Sequence, residues 1–308
     1  MIDRSGFIGS SDVAALLGMS PWKTPLGLYL EKRGEIAAEE IDSDETNFGR
    51  HFQSAVLETF VDKTGIRIDT DGLIAPVRFH HPDYPFLTCE PDAWTLPMIR
   101  TLDGYIPAQL VEAKTATIYH RSEWSDGVPA YYALQCHHQM LVTGATKVWV
   151  PVYFDDRHFE IYSVERDDEL LADLLAAELE FWQRVQDGNP PPVTSQDSET
   201  LAKWFPRSVE ATVALDDLRR DIDRALELKD IIKSYTDELA YHENRIKERL
   251  GRADTGLVDG EKRVSWREQS REGIDAKALK AEEPEIFAKF AKVSTFRVLR
   301  FHGAKEEK

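Results

Sequence analysis

Only two cysteines, Cys89 and Cys136, occur among the 308 residues. That excludes a disulfide framework. It also excludes a zinc or iron–sulfur site built from four cysteines of this chain, and a reducing cytoplasm suits such a composition. Long apolar runs are missing too: none approaches the ~20 residues that span a bilayer. The opening MIDRSGFIGSSD has no extended apolar stretch after its first charge, so it does not read as a signal peptide. Positive charge is scarce, with 38 Lys and Arg against 55 Asp and Glu and a formal net charge of −17. This balance argues against coating nucleic acid by bulk electrostatics. It does not exclude a local basic channel, nor acids gathered around a divalent cation. What the chain does have is 42% hydrophobic residues, enough to build a substantial core in one large domain or two smaller ones.

The order of patterns gives the organisation. Ser10 and Ser11 precede DVAALLGMSPW, which reads as a short serine-capped helix with Asp12 in its first turn. TPLGLYLEKRGE reads as a second helix with Pro25 near its start. ETNFGRHFQSAVLETFVDKTG is a third, with Phe52, Val56 and Phe60 on one stripe and Gly65 as its stop. IRIDT, LIAPVRFH, FLTCEPDAWTL and PAQLVEAKT read as strands. PAYYALQCHHQMLVTG returns to helical spacing, KVWVPVYF and HFEIYSV are strands, and DDELLADLLAAELEFWQRVQDG is an amphipathic helix. Residues 1–187 are thus expected to form an α/β domain around a mixed sheet. The proline-rich GNPPPVTSQDSET opens a linker over 188–207. Residues 208–308 form a helical extension with short strands. Its long helix, from about Val209 to Leu250, carries Leu218, Ile222, Ala225, Ile232, Tyr235, Leu239, Ile246 and Leu250 near heptad spacing. Both packing on its own domain and an intermolecular coiled coil fit that stripe. KRVSWREQ and TFRVLRF read as strands and AKALKAEEPEIFAKFAK as a helix between them.

The chemistry centres on LVEAKTATIYH. Residues two apart on a strand share a face, so Glu112 and Lys114 face one way. An ion pair at a sheet rim is one reading. A second includes Asp92, which follows Pro91 at the start of another strand. Two carboxylates held close repel each other unless a cation lies between them, and a hard divalent ion takes such oxygens. A lysine beside that ion orients or deprotonates a water and offsets charge on a phosphate. The P-D…E-x-K pattern is loose by itself: Asp92 capping a turn and Glu112 merely pairing with Lys114 fit it as well. His137 and His138 do not suit an oxygen-rich site and are assigned to packing or to a DNA-facing surface.

An ordered series of stretches narrows the choice. IGSSDVAALLGMSPWKTPLGLYLEKRGE, FGRHFQSAVLETFVDKTG, EPDAW, VEAKT and YYALQCHHQMLVTG resemble, in that order, the motifs of the YqaJ-type viral recombinase nucleases. That family is similar to phage lambda exonuclease and shares the restriction-endonuclease-like PD-(D/E)xK fold. The tail VSWREQSREGIDAKALKAEEPEIFAKFAKVSTFRVLRF resembles that of longer members. The resemblance implies a mixed sheet flanked by helices, with Asp92, Glu112 and the Ala113 backbone carbonyl as metal ligands. Lys114 would act on the nucleophilic water, and Gln135 would lie beside it with Tyr132 one turn before. Gln53 stands where the family helix carries a glutamate four residues after its glycine, here Gly49. Its neutral amide weakens the hold on a second cation. Glu90 stands where a small polar residue would accommodate a phosphate more easily, either as an extra acid near the site or as a brake on product binding.

The same resemblance implies a magnesium-dependent deoxyribonuclease, with manganese able to substitute, that digests one strand of duplex DNA from its 5′ end. Arg4 and Ser11 would hold the 5′-terminal phosphate. A single-strand-annealing protein is the implied partner, a homo-oligomer such as a trimeric ring the implied assembly, and the cytoplasm of a bacterial or phage-infected cell the implied location. An endonuclease or nickase on the same fold, or a non-catalytic DNA-binding assembly protein, are the competing readings.

Overall fold

In the run KVWVPVYF every second residue, Val148, Val150, Val152 and Phe154, is fully buried, the period of a strand covered on that face. Trp149 faces the opposite way, into a cluster with Leu57 and Phe60. Burying one aliphatic side chain contributes roughly 1.5–3 kcal/mol, so this strand anchors layers on both faces. The computed structural model describes residues 4–38, 44–70, 77–101 and 104–302. They fall into two compact units, Met1–Phe205 and Pro206–Lys308.

The first unit opens with β1 (Ile8–Gly9), a 3-10 turn over Ser10–Asp12, α1 (Val13–Leu16), α2 (Pro25–Lys32) and α3 (Asp44–Thr64). Strands β2 (Ile68–Asp69), β3 (Phe79–His80), β4 (Leu87–Cys89), β5 (Ala93–Thr95), β6 (Ile99–Thr101), β7 (Gly104–Ile106), β8 (Leu110–Val111) and β9 (Lys114–Ala116) follow. Then come α4 (Ala130–Thr143), β10 (Lys147–Phe154), β11 (Phe159–Glu165), α5 (Asp168–Asp187) and α6 (Ser198–Trp204). The main sheet has the order β11-β10-β8-β5-β2, with β9 also on β10. β8 and β9 run parallel to β10 and the other pairings are antiparallel, so the sheet is mixed, as expected. α3 covers one face, where Leu57 and Phe60 meet Ala93 and Val111. α4 covers the other, where Cys136 and Met140 meet Trp94, Leu110 and the β10 valines. β1-β4-β3 and the β6-β7 pair form separate small sheets.

Several local expectations change. FLTCEPDAWTL is not one strand: Pro91, which lacks an N–H, separates β4 and β5 into different sheets. In LIAPVRFH only Phe79–His80 pairs, while 73–76 lie outside the described residues. The first helix is not capped by a serine; the Asp12 carboxylate accepts the Gly9 N–H at 3.0 Å. The expected linker packs on the domain. Asp197 is fully buried and accepts the Thr24 hydroxyl at 2.5 Å and the Thr194 N–H at 2.6 Å, while Leu201 and Trp204 join the main core. Those contacts carry the first unit to Phe205.

In the second unit a 3-10 turn at Asp216–Leu218 leads into α7 (Arg219–Leu250), so the regular helix starts later than Val209. β12 (Thr255–Val258) forms a hairpin with β13 (Glu261–Ser265). Pro284 splits the expected tail helix into α8 (Ala276–Glu282) and α9 (Pro284–Phe290). TFRVLRF pairs with no strand among the described residues and is not a strand. Among those residues no helix is long and apolar enough to cross a membrane.

His138 on α4 and Glu178 on α5 are both fully buried. Nδ1 of His138 lies 2.7 Å from Glu178 and Nε2 lies 2.9 Å from the Thr88 carbonyl. Both ring nitrogens face acceptors, which suits an imidazolium. Burial opposes that charge, but Glu178 outweighs it, and the pKa lies above the ordinary histidine value. A raised folded pKa gives stabilisation that is complete below the unfolded value, ~6.5, and is lost as pH rises through the folded one. Breaking such a pair costs about 3–5 kcal/mol. Thermal melts of wild type and His138→Gln should therefore differ most near pH 6 and converge as pH rises. A difference independent of pH would mean that His138 is buried neutral.

Candidate active site

The alternation along β8 places the acid. Leu110 packs on the α4 side and Val111 on the α3 side, so Glu112 returns to α4. The ladder lapses between β8 and β9, although the Glu112 N–H still donates to the Trp149 carbonyl at 2.9 Å. Glu112 Oε1 accepts the Lys114 ammonium at 2.8 Å and the Gln135 amide at 2.6 Å, and its Oε2 accepts the Gln139 amide at 2.7 Å. Lys114 also donates to Gln135 Oε1 at 3.1 Å and lies 4.5 Å over the Tyr132 ring. Gln135 and Gln139, four apart on α4, share one helix face. The same-face pair of acid and lysine therefore exists, but deep in a polar cluster rather than at a solvated rim.

Asp92 precedes β5, the antiparallel partner of β8 with Ala93 opposite Val111. Its Oδ2 accepts the Ala113 N–H at 2.8 Å, and its Oδ1 accepts the side-chain amide of Gln53 from α3. Gly49 lets α3 come this close: a Cβ there would stand 3.3 Å from the Thr115 hydroxyl on β9. Burial, and then the charge of Glu112, hold the Asp92 carboxyl well above the ordinary carboxylate range, only partly offset by Lys114 and the Ala113 N–H. Burial alone would lower the Lys114 pKa, but Glu112, Tyr132 and Asp92 outweigh it and leave it above the ordinary lysine range. Lys114 is thus a charged donor in this state.

A buried and a half-buried acid whose charges oppose each other suit a cation between them. The donors are oxygens, which selects a hard ion such as magnesium or manganese. Among the described residues no group of three or more His, Cys, Asp or Glu is placed to hold a metal. An ion held here would have Asp92 and Glu112 as its charged ligands and would need neutral oxygens besides, such as the Ala113 carbonyl or the Gln53 amide oxygen, although it is the Gln53 amide nitrogen that faces Asp92 here.

Arg4 and Ser11, seven apart, do meet: the guanidinium donates to the Ser11 hydroxyl at 2.9 Å. Ser11 lies inside the 3-10 turn ahead of the four-residue α1, so this is a side-chain pair, not a helix-end site. Arg4, Ser11, Gln53, Asp92, Glu112, Ala113, Lys114, Tyr132 and Gln135 all line a single cleft of about 1540 Å³. His137 and His138 are buried away from it.

Residues 2–146 match the YqaJ-like viral recombinase domain. The protein YqaJ of Bacillus subtilis (strain 168) is 30% identical over 317 residues, covering 99% of this chain and 93% of that one. This chain belongs to the YqaJ-like viral recombinase family. Among solved structures, the YqaJ-like chain is similar to the alkaline exonuclease LHK-Exo of Laribacter hongkongensis, with a TM-score of 0.48 and 18% identity over 60% of this chain and 91% of that one. LHK-Exo in complex with dAMP gives 0.49 and 18% over 65% and 93%. A phage related exonuclease of Haemophilus somnus 129PT gives 0.39 and 13% over 59% and 94%.

Sequence reasoning missed several residues of this YqaJ-like site. Gln139 was legible as a second glutamine one turn beyond Gln135 on an otherwise apolar face. The buried pair of Lys32 and Asp12, 2.7 Å apart, joins residues 20 apart and left no signal. Nor did Arg78, which pairs with Glu90 at 2.6 Å. Trp22, exposed in SPWKTP, packs edge-on to Tyr131 at 5.1 Å on the cleft wall.

Proposed function

We propose that this chain is a metal-dependent DNA exonuclease that degrades one strand of duplex DNA from the 5′ end and leaves single-stranded DNA for phage-type recombination. The observation that carries the reading is the meeting of Asp92, Glu112, Lys114 and the Arg4–Ser11 pair in one cleft. A bound magnesium or manganese would polarise the scissile phosphate and make a water acidic. Asp92, Glu112, the Ala113 carbonyl and the Gln53 amide oxygen would hold it.

The chain's own groups do the rest. Gln135 accepts from Lys114 and donates to Glu112, which fixes the ammonium beside the carboxylate. From there Lys114 orients the attacking water and offsets charge on the phosphate. Once the two acids are neutralised, the attraction that keeps its proton weakens, and proton transfer from the water becomes easier. Gln139 holds the far oxygen of Glu112 so that the carboxylate cannot rotate. Trp22, exposed on the cleft wall, offers a face on which a base would stack. Arg4 and Ser11 would receive the terminal phosphate. Duplex ends, a single-strand-annealing protein and further copies of the chain, arranged as a trimeric ring, are the partners in this reading.

Gln53 is the departure with a measurable consequence. Gln53→Glu adds a third carboxylate beside Asp92, and the magnesium needed for half-maximal activity should fall about tenfold. Unchanged metal dependence would remove α3 from the metal site. The function is tested with duplexes carrying a 5′-phosphate or a 5′-hydroxyl and with closed circles. Fast loss of phosphorylated strands and intact circles support it. Cutting of the circles would support an endonuclease.

A further inference from the structure

Beside the cleft lies a smaller pocket of about 190 Å³, lined by Arg4, Phe7, Ser11, Arg78, Thr88 and Glu90 among others. Three cations surround the Phe7 ring: Arg78 at 4.3 Å, Lys32 at 5.2 Å and Arg4 at 5.9 Å. Lys32 is committed internally. Its ammonium donates to Asp12 at 2.7 Å and to the Arg4 carbonyl at 2.9 Å, and its side chain is 3% exposed. Arg4 and Arg78 are more open, at 47% and 28%. Arg78 is held by Glu90, with Nε at 2.7 Å and Nη2 at 2.6 Å from the same carboxylate oxygen.

We infer that Glu90 is a built-in competitor for Arg78, displaced when a terminal phosphate enters this pocket; this rests on the 5′-end reading above. Three cations against two carboxylates leave one positive charge, too little for a dianion beside an acid. If Glu90 swings out to solvent, Arg78 is released to the phosphate beside Arg4, which keeps its contacts to Ser11 at 2.9 Å and Asp12 at 3.4 Å, and a planar guanidinium donates to two phosphate oxygens. Glu90 is 37% exposed, so its carboxylate is rehydrated at low cost. It also stands two residues before Asp92, within the chain segment that carries the reacting site. Each cleavage from a 5′ end leaves a new 5′-phosphate on the shortened strand. A competing carboxylate keeps that end from being retained, so the strand can advance.

The test is equilibrium binding of the full chain, in chelator, to duplexes differing only in a 5′-phosphate or 5′-hydroxyl, read by fluorescence anisotropy. Glu90→Gln keeps the side-chain shape and removes the charge. It should strengthen the preference for the phosphate about tenfold, the effect of roughly 1.4 kcal/mol, with hydroxyl ends unchanged. Arg78→Gln should lower the preference, and adding Glu90→Gln to it should then change nothing, because Glu90 acts through Arg78. A wild type that prefers the phosphate, with the preference unmoved by Glu90→Gln, would overturn this inference and leave the 5′-end reading standing. If wild type and Glu90→Gln both ignore the phosphate, and Arg4→Ala changes nothing, both fall.

Discussion

Alanine at Asp92 or at Glu112 should lower DNA hydrolysis at least about 10³-fold, the order expected when charge stabilisation at a reacting centre is lost. Asp92 sits half-buried just before β5, where desolvation and then the charge of Glu112 raise its pKa. That repulsion is tolerable with a cation between the two acids and unfavourable without one. Removing one carboxylate relieves it and offsets the loss of an acceptor for the Ala113 N–H and the Gln53 amide, so Asp92→Ala should melt near the wild-type temperature in chelator. Glu112→Ala differs. It leaves the Lys114 ammonium and the Gln135 and Gln139 amides without their shared acceptor, and should cost stability as well as activity. The pair of measurements therefore separates the two acids. Wild-type rates in either variant would move the site elsewhere.

Lys114→Ala should be nearly as damaging, about 10²–10⁴-fold in turnover, with DNA and magnesium binding kept. The lysine touches neither Arg4 nor Ser11, and its loss leaves both carboxylates in place. Lys114→Arg should recover little. A guanidinium is broader than the ammonium wedged between Glu112, Gln135 and the Tyr132 ring, and it does not give up its proton. Single-turnover rates with matched DNA affinities would show this. An arginine variant at full rate would reduce Lys114 to a positive charge.

The sheet and its two helical layers were legible because period-two burial in KVWVPVYF and the stripe of Val56 and Phe60 are local patterns that packing reinforces. That Asp92 and Glu112 belong to one site came from the family resemblance, and the antiparallel pairing of β5 with β8 brings them to the same end of two neighbouring strands. What escaped the sequence is non-local or is decided by one backbone group. Pro91 breaks a run that looks continuous. A buried Asp197 pins a proline-rich segment that reads as a linker. The segment TFRVLRF has strand composition but forms no strand among the described residues. Arg4 and Ser11 were singled out only by the family resemblance, and they do meet, whereas Lys32 and Arg78, from other elements, entered the same neighbourhood without notice.

The most direct measurement follows a linear duplex, labelled along one strand, during digestion with magnesium and again with chelator. The account predicts loss of the strand as mononucleotides from its 5′-phosphorylated end, only with the metal present, and none with Asp92→Ala. Hydrolysis that persists in chelator, or that survives in Asp92→Ala, would contradict it.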